Sequence, residues 1–122
     1  MEKTKYNINL DIKFQPEEII DITSVVEECN EKWFNQTLTK VNNSVVRIGI
    51  VEGEFHWHKH DTDDEFFYVV SGQLLIDLEE KTIELNANQG TTIAKGVLHR
   101  PRALQKTVML MVETAEIVPT GD

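Results

Sequence analysis

Phe55-His56-Trp57-His58-Lys59-His60-Asp61-Thr62-Asp63-Asp64-Glu65-Phe66-Phe67-Tyr68-Val69-Val70-Ser71-Gly72 is the stretch that decides how this chain is read. Three of the chain's four histidines fall within its first six residues. On an extended segment, side chains at i and i+2 share a face, so His58 and His60 can aim two imidazoles at one point. The acidic turn 61–64 follows, and a reversal there sets Glu65 on the next strand, facing the same interior. Residues 65–70 are aromatic and β-branched, and Ser71-Gly72 then turns the chain. Imidazole is a common transition-metal ligand, and a carboxylate helps hold a divalent cation in a partly dry pocket. A solvated histidine-rich turn is the bland alternative. Phe55, Trp57 and the strand after Glu65 argue against it, because they embed the histidines among core-forming residues.

Working outward, the pattern stays β. Residues 45–51 are rich in β-branched side chains and follow the turn-prone Asn42-Asn43-Ser44. Residues 55–60 alternate. Short strands are expected at 74–78, 82–85, 91–94 and 107–112, with turn residues between them, which suggests a closed sandwich or barrel. Upstream, Ile8, Leu10, Ile12 and Phe14 alternate with polar residues and predict a strand, ended by Pro16. Ser24-Val25-Val26-Glu27 has the form of a capping box and predicts one short helix from Val25 to about Lys32. A flexible arm before Trp33 is the rival reading. The expectation is an all-β chain with one short N-terminal helix: an N-terminal strand and helix over 1–36, a barrel over 37–113 and a tail over 114–122 that ends frayed from Pro119 to Asp122.

Composition narrows the function. Acidic residues number 21 against 12 Lys and Arg, a formal net charge of -9. Such a chain repels phosphate backbones and anionic membranes, so neither nucleic acid nor a membrane is an expected partner. The single cysteine, Cys29, excludes a disulfide within the chain and reads as a half-buried structural thiol. The first seven residues carry no apolar run behind their charges, and a cytoplasmic location is expected.

His58-x-His60, four residues, Glu65, six residues and Gly72 resemble the first sequence motif of the cupins. Gly53 stands one residue closer to His58 than that motif's usual leading glycine. Asn88, Ala94, Gly96 and His99 resemble the second motif, with Asn88 in a usual glycine position, Ala94 for proline and Ala103 for the terminal asparagine. The resemblance covers about residues 45–112. Trp57-His58-Lys59-His60, Gly96-Val97-Leu98-His99-Arg100-Pro101-Arg102-Ala103 and Thr120-Gly121-Asp122 are similar to a narrower group of short cupins. That group is often described as mannose-6-phosphate isomerase-like and has no single defined activity. The resemblance implies a double-stranded β-helix, or jelly-roll barrel. It also implies one divalent transition metal ion (Zn, Fe, Mn, Ni, Co or Cu) on His58, His60, Glu65 and His99.

Three imidazoles and one carboxylate leave roughly two positions open on a six-coordinate ion. The function expected is a metal-dependent oxygenase or isomerase acting on a small organic molecule. The alternative is a non-enzymatic ligand-binding or sensing module whose metal anchors the ligand. By parity, Phe67 and Val69 point inward with Glu65, and His56 points with His58; it is then either a pocket-lining acid/base group or a satisfied histidine at the barrel rim, and the rim is favoured because most lone histidines have no catalytic role. Met109 and Met111 read as core. Parity beside His99 turns Arg100 and Arg102 outward, and these and Arg47 are taken as solvated charges. A homodimer is expected, joined through the apolar face of the N-terminal strand.

Overall fold

The computed structural model describes residues 6–121; the leader-free reading of residues 1–5 and the final Asp122 lie outside it. The elements in chain order are β1 (Asn7–Asn9), α1 (Ile22–Glu27), β2 (Trp33–Val41), β3 (Ser44–Glu54) and β4 (Glu65–Ser71), then β5 (Gln73–Leu78), β6 (Thr82–Asn86), β7 (Gly90–Ile93) and β8 (His99–Thr114). The strands follow the order β1-β2-β3-β8-β4-β7, with β5 joining β6 to β8. The all-β jelly-roll expectation is borne out.

β8 is the spine. Its first residues pair with β5 (Leu78 against His99, Leu75 against Arg102), and its second half lies between β3 and β4. Only the second half was legible as a strand. Pro101, Arg102 and the polar Gln105-Lys106 mask the first, where β5 pairing fixes an extended backbone that propensity alone does not.

Register stacks the interior in layers. Thr37, Arg47, Met111 and Phe67 pair across four strands, and Asn35, Gly49, Met109 and Val69 form the neighbouring layer. Glycine at position 49 leaves room for Met109: a Cβ there would stand 2.6 Å from the methionine's flexible end, which would have to shift. One apolar cluster fills the barrel, with Trp33, Phe55, Phe67, Val69, Leu74, Ile76, Met109 and Met111 at its centre. Ile48 and Ile50 alternate to the other face of β3 and form a second cluster with Leu38, Val108 and Val25 of α1, flanked by Phe14, Ile20 and Ile22. β3 is therefore covered on both faces, which explains its nearly continuous apolar run.

The N-terminal region differs from expectation in three ways. The strand is three residues long, and the chain then runs irregularly, leaving Leu10 and Ile12 exposed. β1 pairs in parallel with β2 of its own chain (Ile8 against Asn35), which is the arrangement opposed to strand exchange. The helix starts at Ile22, because Asp21 rather than Ser24 is the cap; its carboxylate accepts from the Ser24 N–H. An aspartate three residues ahead of that N–H supplies the same acceptor one turn earlier. Residues 14–29 cover the outer face of β2 and β3 rather than forming a loose arm.

Candidate metal centre

Residues 55–60 do not form the alternating strand expected. His58 makes one isolated bridge to His99, with the His58 N–H donating to the His99 carbonyl and the reverse, both 2.9 Å. The Gly96 N–H donates to the His60 carbonyl (2.7 Å), and the Lys95 N–H to the Asp64 carboxylate (2.9 Å). The two loops are thus tied to each other. Glu65 and His99 sit at the first residues of β4 and β8, where strand geometry aims them inward.

These contacts bring His58, His60, Glu65 and His99 together. All four are buried, and one candidate ligand atom from each lies within 4.8 Å of the others. Ligands on opposite sides of one ion stand about 4.2 Å apart for metal–nitrogen bonds of about 2.1 Å, so the spacing suits a shared cation. Backbone carbonyls set the imidazoles: His58 Nδ1–H donates to His56 (3.0 Å) and His99 Nδ1–H to Val97 (2.9 Å). Each neutral ring then presents only a lone pair at Nε2. The His99 Nε2 faces the Glu65 Oε1 at 3.3 Å, and neither atom has a hydrogen-bond partner among the described residues. Two lone pairs at that distance need a proton or a cation between them, and the cluster is compatible with a divalent metal ion.

Charge follows the same geometry. Burial is the largest influence on His58 and, with the neighbouring imidazoles, pushes it down to about 4 against the hydrogen bond to the His56 carbonyl. Burial would raise Glu65, but the close His60 and His99 rings outweigh it and hold the carboxyl below its ordinary value. Glu113 follows the Phe66–Val112 pair in register and so stands beside Glu65. Burial and the charge of Glu65 push it up to about 9, against the Arg47 guanidinium.

Arg47 corrects the expectation of a solvated charge. It is 2% exposed and bonds the Glu113 carboxylate (3.1 Å), the Thr37 hydroxyl (3.0 Å) and the carbonyl of Ile117 (3.0 Å). Its parity with Gly49 and Val51 turns it inward, and a long side chain can be buried there because Glu113 meets it. Arg100 and Arg102 do lie outside the pocket, but they are not free charges: both clasp Asp77, which also accepts from Thr82.

His56 is exposed and stands at the rim, the favoured of the two expected placements. Its Nε2–H donates to the Thr120 carbonyl (2.6 Å), and the Tyr6 hydroxyl approaches Nδ1 at 3.4 Å. The expected frayed tail is instead folded back as far as Gly121. Ile117 and Pro119 are buried, and Gly121 (φ 102°) packs so closely that a Cβ there would lie 2.7 Å from the His58 Cβ. A narrow recess of about 300 Å³, open mouth included, runs from His58 and Glu65 past Phe67, Met109 and Asn35, with Pro119 at its edge. Sequence reasoning missed Asn35, Glu113 and the tail. The Trp33-Asn35-Thr37 parity was the available signal for Asn35; the others lie far from the motif in sequence.

A family model for the cupin domain matches residues 45–114. The uncharacterised protein YdbB of Bacillus subtilis is 40% identical over 94 residues, covering 76% of this chain and 83% of that protein. The crystal structure of a cupin-2 domain containing protein from Shewanella frigidimarina is 31% identical with a TM-score of 0.75, over 79% of this chain and 94% of the other. A Neisseria meningitidis protein at 19% identity and a TM-score of 0.71 shares the fold, over 80% of this chain and 99% of its own. Among the described residues no helix is long and apolar enough to cross a membrane. With the double-stranded β-helix, the matched model and the two motif histidine loops in agreement, this chain belongs to the cupin family.

Proposed function

We propose that this chain is a metal-dependent small-molecule cupin in which His58, His60, Glu65 and His99 hold one divalent ion. The observation that carries this reading is the facing pair of His99 Nε2 and Glu65 Oε1, buried and without hydrogen-bond partners among the described residues. Four protein ligands leave about two positions for a small molecule or water. A bound ion there supplies Lewis acidity or a redox centre, in keeping with an oxygenase or isomerase. The chain's own residues exclude bulk water, hold the imidazoles in one tautomer and bound the ligand with Phe67, Met109 and Met111.

A second reading, a ligand-binding or sensing module, is favoured by His56. The one histidine outside the cluster is engaged with the tail and Tyr6, and among the described residues Glu113 is the further acid–base group beside the cluster. Consumption of oxygen or turnover of a candidate substrate by the loaded protein separates the two. Elemental analysis of protein made without a histidine tag should find about one divalent ion per chain. The His58→Ala/His60→Ala protein should have none; full occupancy in that variant refutes the reading. A cytoplasmic homodimer belongs to the same proposal. Its support is the partly exposed pair of Phe66 and Val112, neighbours across β4 and β8, and light scattering tests it.

A further inference from the structure

Asn35 is 6% exposed, its amide oxygen is shielded from solvent, and that oxygen accepts no hydrogen bond among the described residues. It faces the recess beside Met109 and Phe67. The next polar side chain on the same face of β2, Thr37, is satisfied by the Arg47 Nε–H (3.0 Å). An unpaired buried amide costs stability, and a leucine of similar size would avoid that cost. A place in the core packing therefore does not explain an asparagine here, whereas a ligand that completes its hydrogen bond does.

We propose that Asn35 determines ligand specificity in the recess. Its amide oxygen accepts a hydrogen bond from an N–H or O–H group on a small ligand with an apolar flank, whose anionic oxygen reaches the four-residue centre. This rests on the metal reading above. The chemistry narrows the ligand class. A divalent ion against one carboxylate leaves a net positive charge, which a singly anionic oxygen neutralises. Among the described residues the lining beyond is Trp33, Phe55, Phe67, Met109 and Met111, with no lysine or arginine, so a second anionic group would be stranded there. The recess itself has room for little more than a water molecule, which favours the smallest such ligands. Phosphorylated sugars and dicarboxylates fall outside this class; enols, hydroxamates and small hydroxy-carbonyl compounds fall within it.

Acetohydroxamate and N-methylacetohydroxamate test this directly. Both chelate a metal through the same two oxygens, and only the first keeps an N–H donor. Each is titrated into the Co(II)-loaded protein and followed by the visible absorption of cobalt. The wild type should prefer acetohydroxamate by about tenfold or more, the worth of one net hydrogen bond in a dry site. In Asn35→Leu the preference should vanish while cobalt content stays unchanged; Asn35→Ala serves as a second variant if the leucine perturbs folding. Failure of the wild type to take up cobalt refutes the metal reading itself. With cobalt bound, equal affinities in the wild type overturn the proposal. So does a preference that survives in both variants, since that would reflect the bulk of the methyl group.

Discussion

Replacing Arg47 with methionine tests whether the buried network beneath the centre holds the barrel together. The guanidinium is almost fully enclosed and joins β3 to Glu113 on β8, to Thr37 on β2 and to the carbonyls of Ile117 and Ala115 in the tail. Methionine fills most of the volume but none of the bonds. Removing one partner of a buried ion pair costs about 3–5 kcal/mol. Glu113 is already pushed up toward protonation by burial and by Glu65, so it can take a proton once its cation is gone. That places the cost near the lower figure, about 3 kcal/mol. For a chain of 122 residues, each kcal/mol moves the midpoint by about 4 °C, so thermal unfolding should fall by roughly 12 °C. The assay is a thermal melt of chelator-treated protein, paired with limited proteolysis of the C-terminal tail, whose cleavage should accelerate. Arg47→Met/Glu113→Leu should be no less stable than Arg47→Met, because two apolar groups then meet without an orphaned carboxyl. A loss below about 1 kcal/mol for the single variant, or a double variant worse than both singles combined, would refute the reasoning.

Asp77→Asn should lower stability by about 1–3 kcal/mol, since two arginines and Thr82 bond that carboxylate. Hydrogen bonding to Arg102 holds Asp77 well below the usual carboxylate range, so its contribution is complete above about pH 4 and fades only in stronger acid; denaturant midpoints that show the gap closing already between pH 7 and pH 5 contradict this. The depressed His58 has the opposite origin but the same sign: the unfolded state takes up the proton first, so the metal-free protein should lose stability as pH falls from about 6.5 to 4, by up to about 3 kcal/mol. Urea midpoints that His58→Gln leaves equally pH-dependent would assign the loss elsewhere. Gly121→Ala should lift the tail from His58 and speed hydrogen exchange at the tail amides without a comparable change in barrel amides, because its new Cβ would overlap the Cβ of His58; unchanged exchange at the tail amides would show that the close approach is relieved more cheaply.

Much of this protein is written locally. The i, i+2 spacing of His58 and His60, the run after Glu65 and the glycine turn at 72 specify a hairpin-bearing β fold and three converging ligand candidates, because strand parity needs no partner to be read. His99 was reachable only through a motif resemblance, since nothing in the sequence near it says that its loop bridges to His58. Parity also placed Phe67 and Val69 inward, whereas the rim position of His56 did not follow from parity.

The tertiary structure decided what parity could not. Whether a charged side chain is solvated depends on what stands across the sheet, and Arg47 meets Glu113 from 66 residues away. Whether an alternating segment is a strand depends on an edge to pair with: the N-terminal segment finds β2 for only three residues, and residues 55–60 find one bridge at His58. The tail is held back by donors that His56 and Arg47 offer to its carbonyls and by the burial of Ile117. Chain-local preferences set the strands; the long-range pairings of β8 with β3, β4 and β5 closed the barrel, and the bridge from His58 to His99 brought the histidines together inside it.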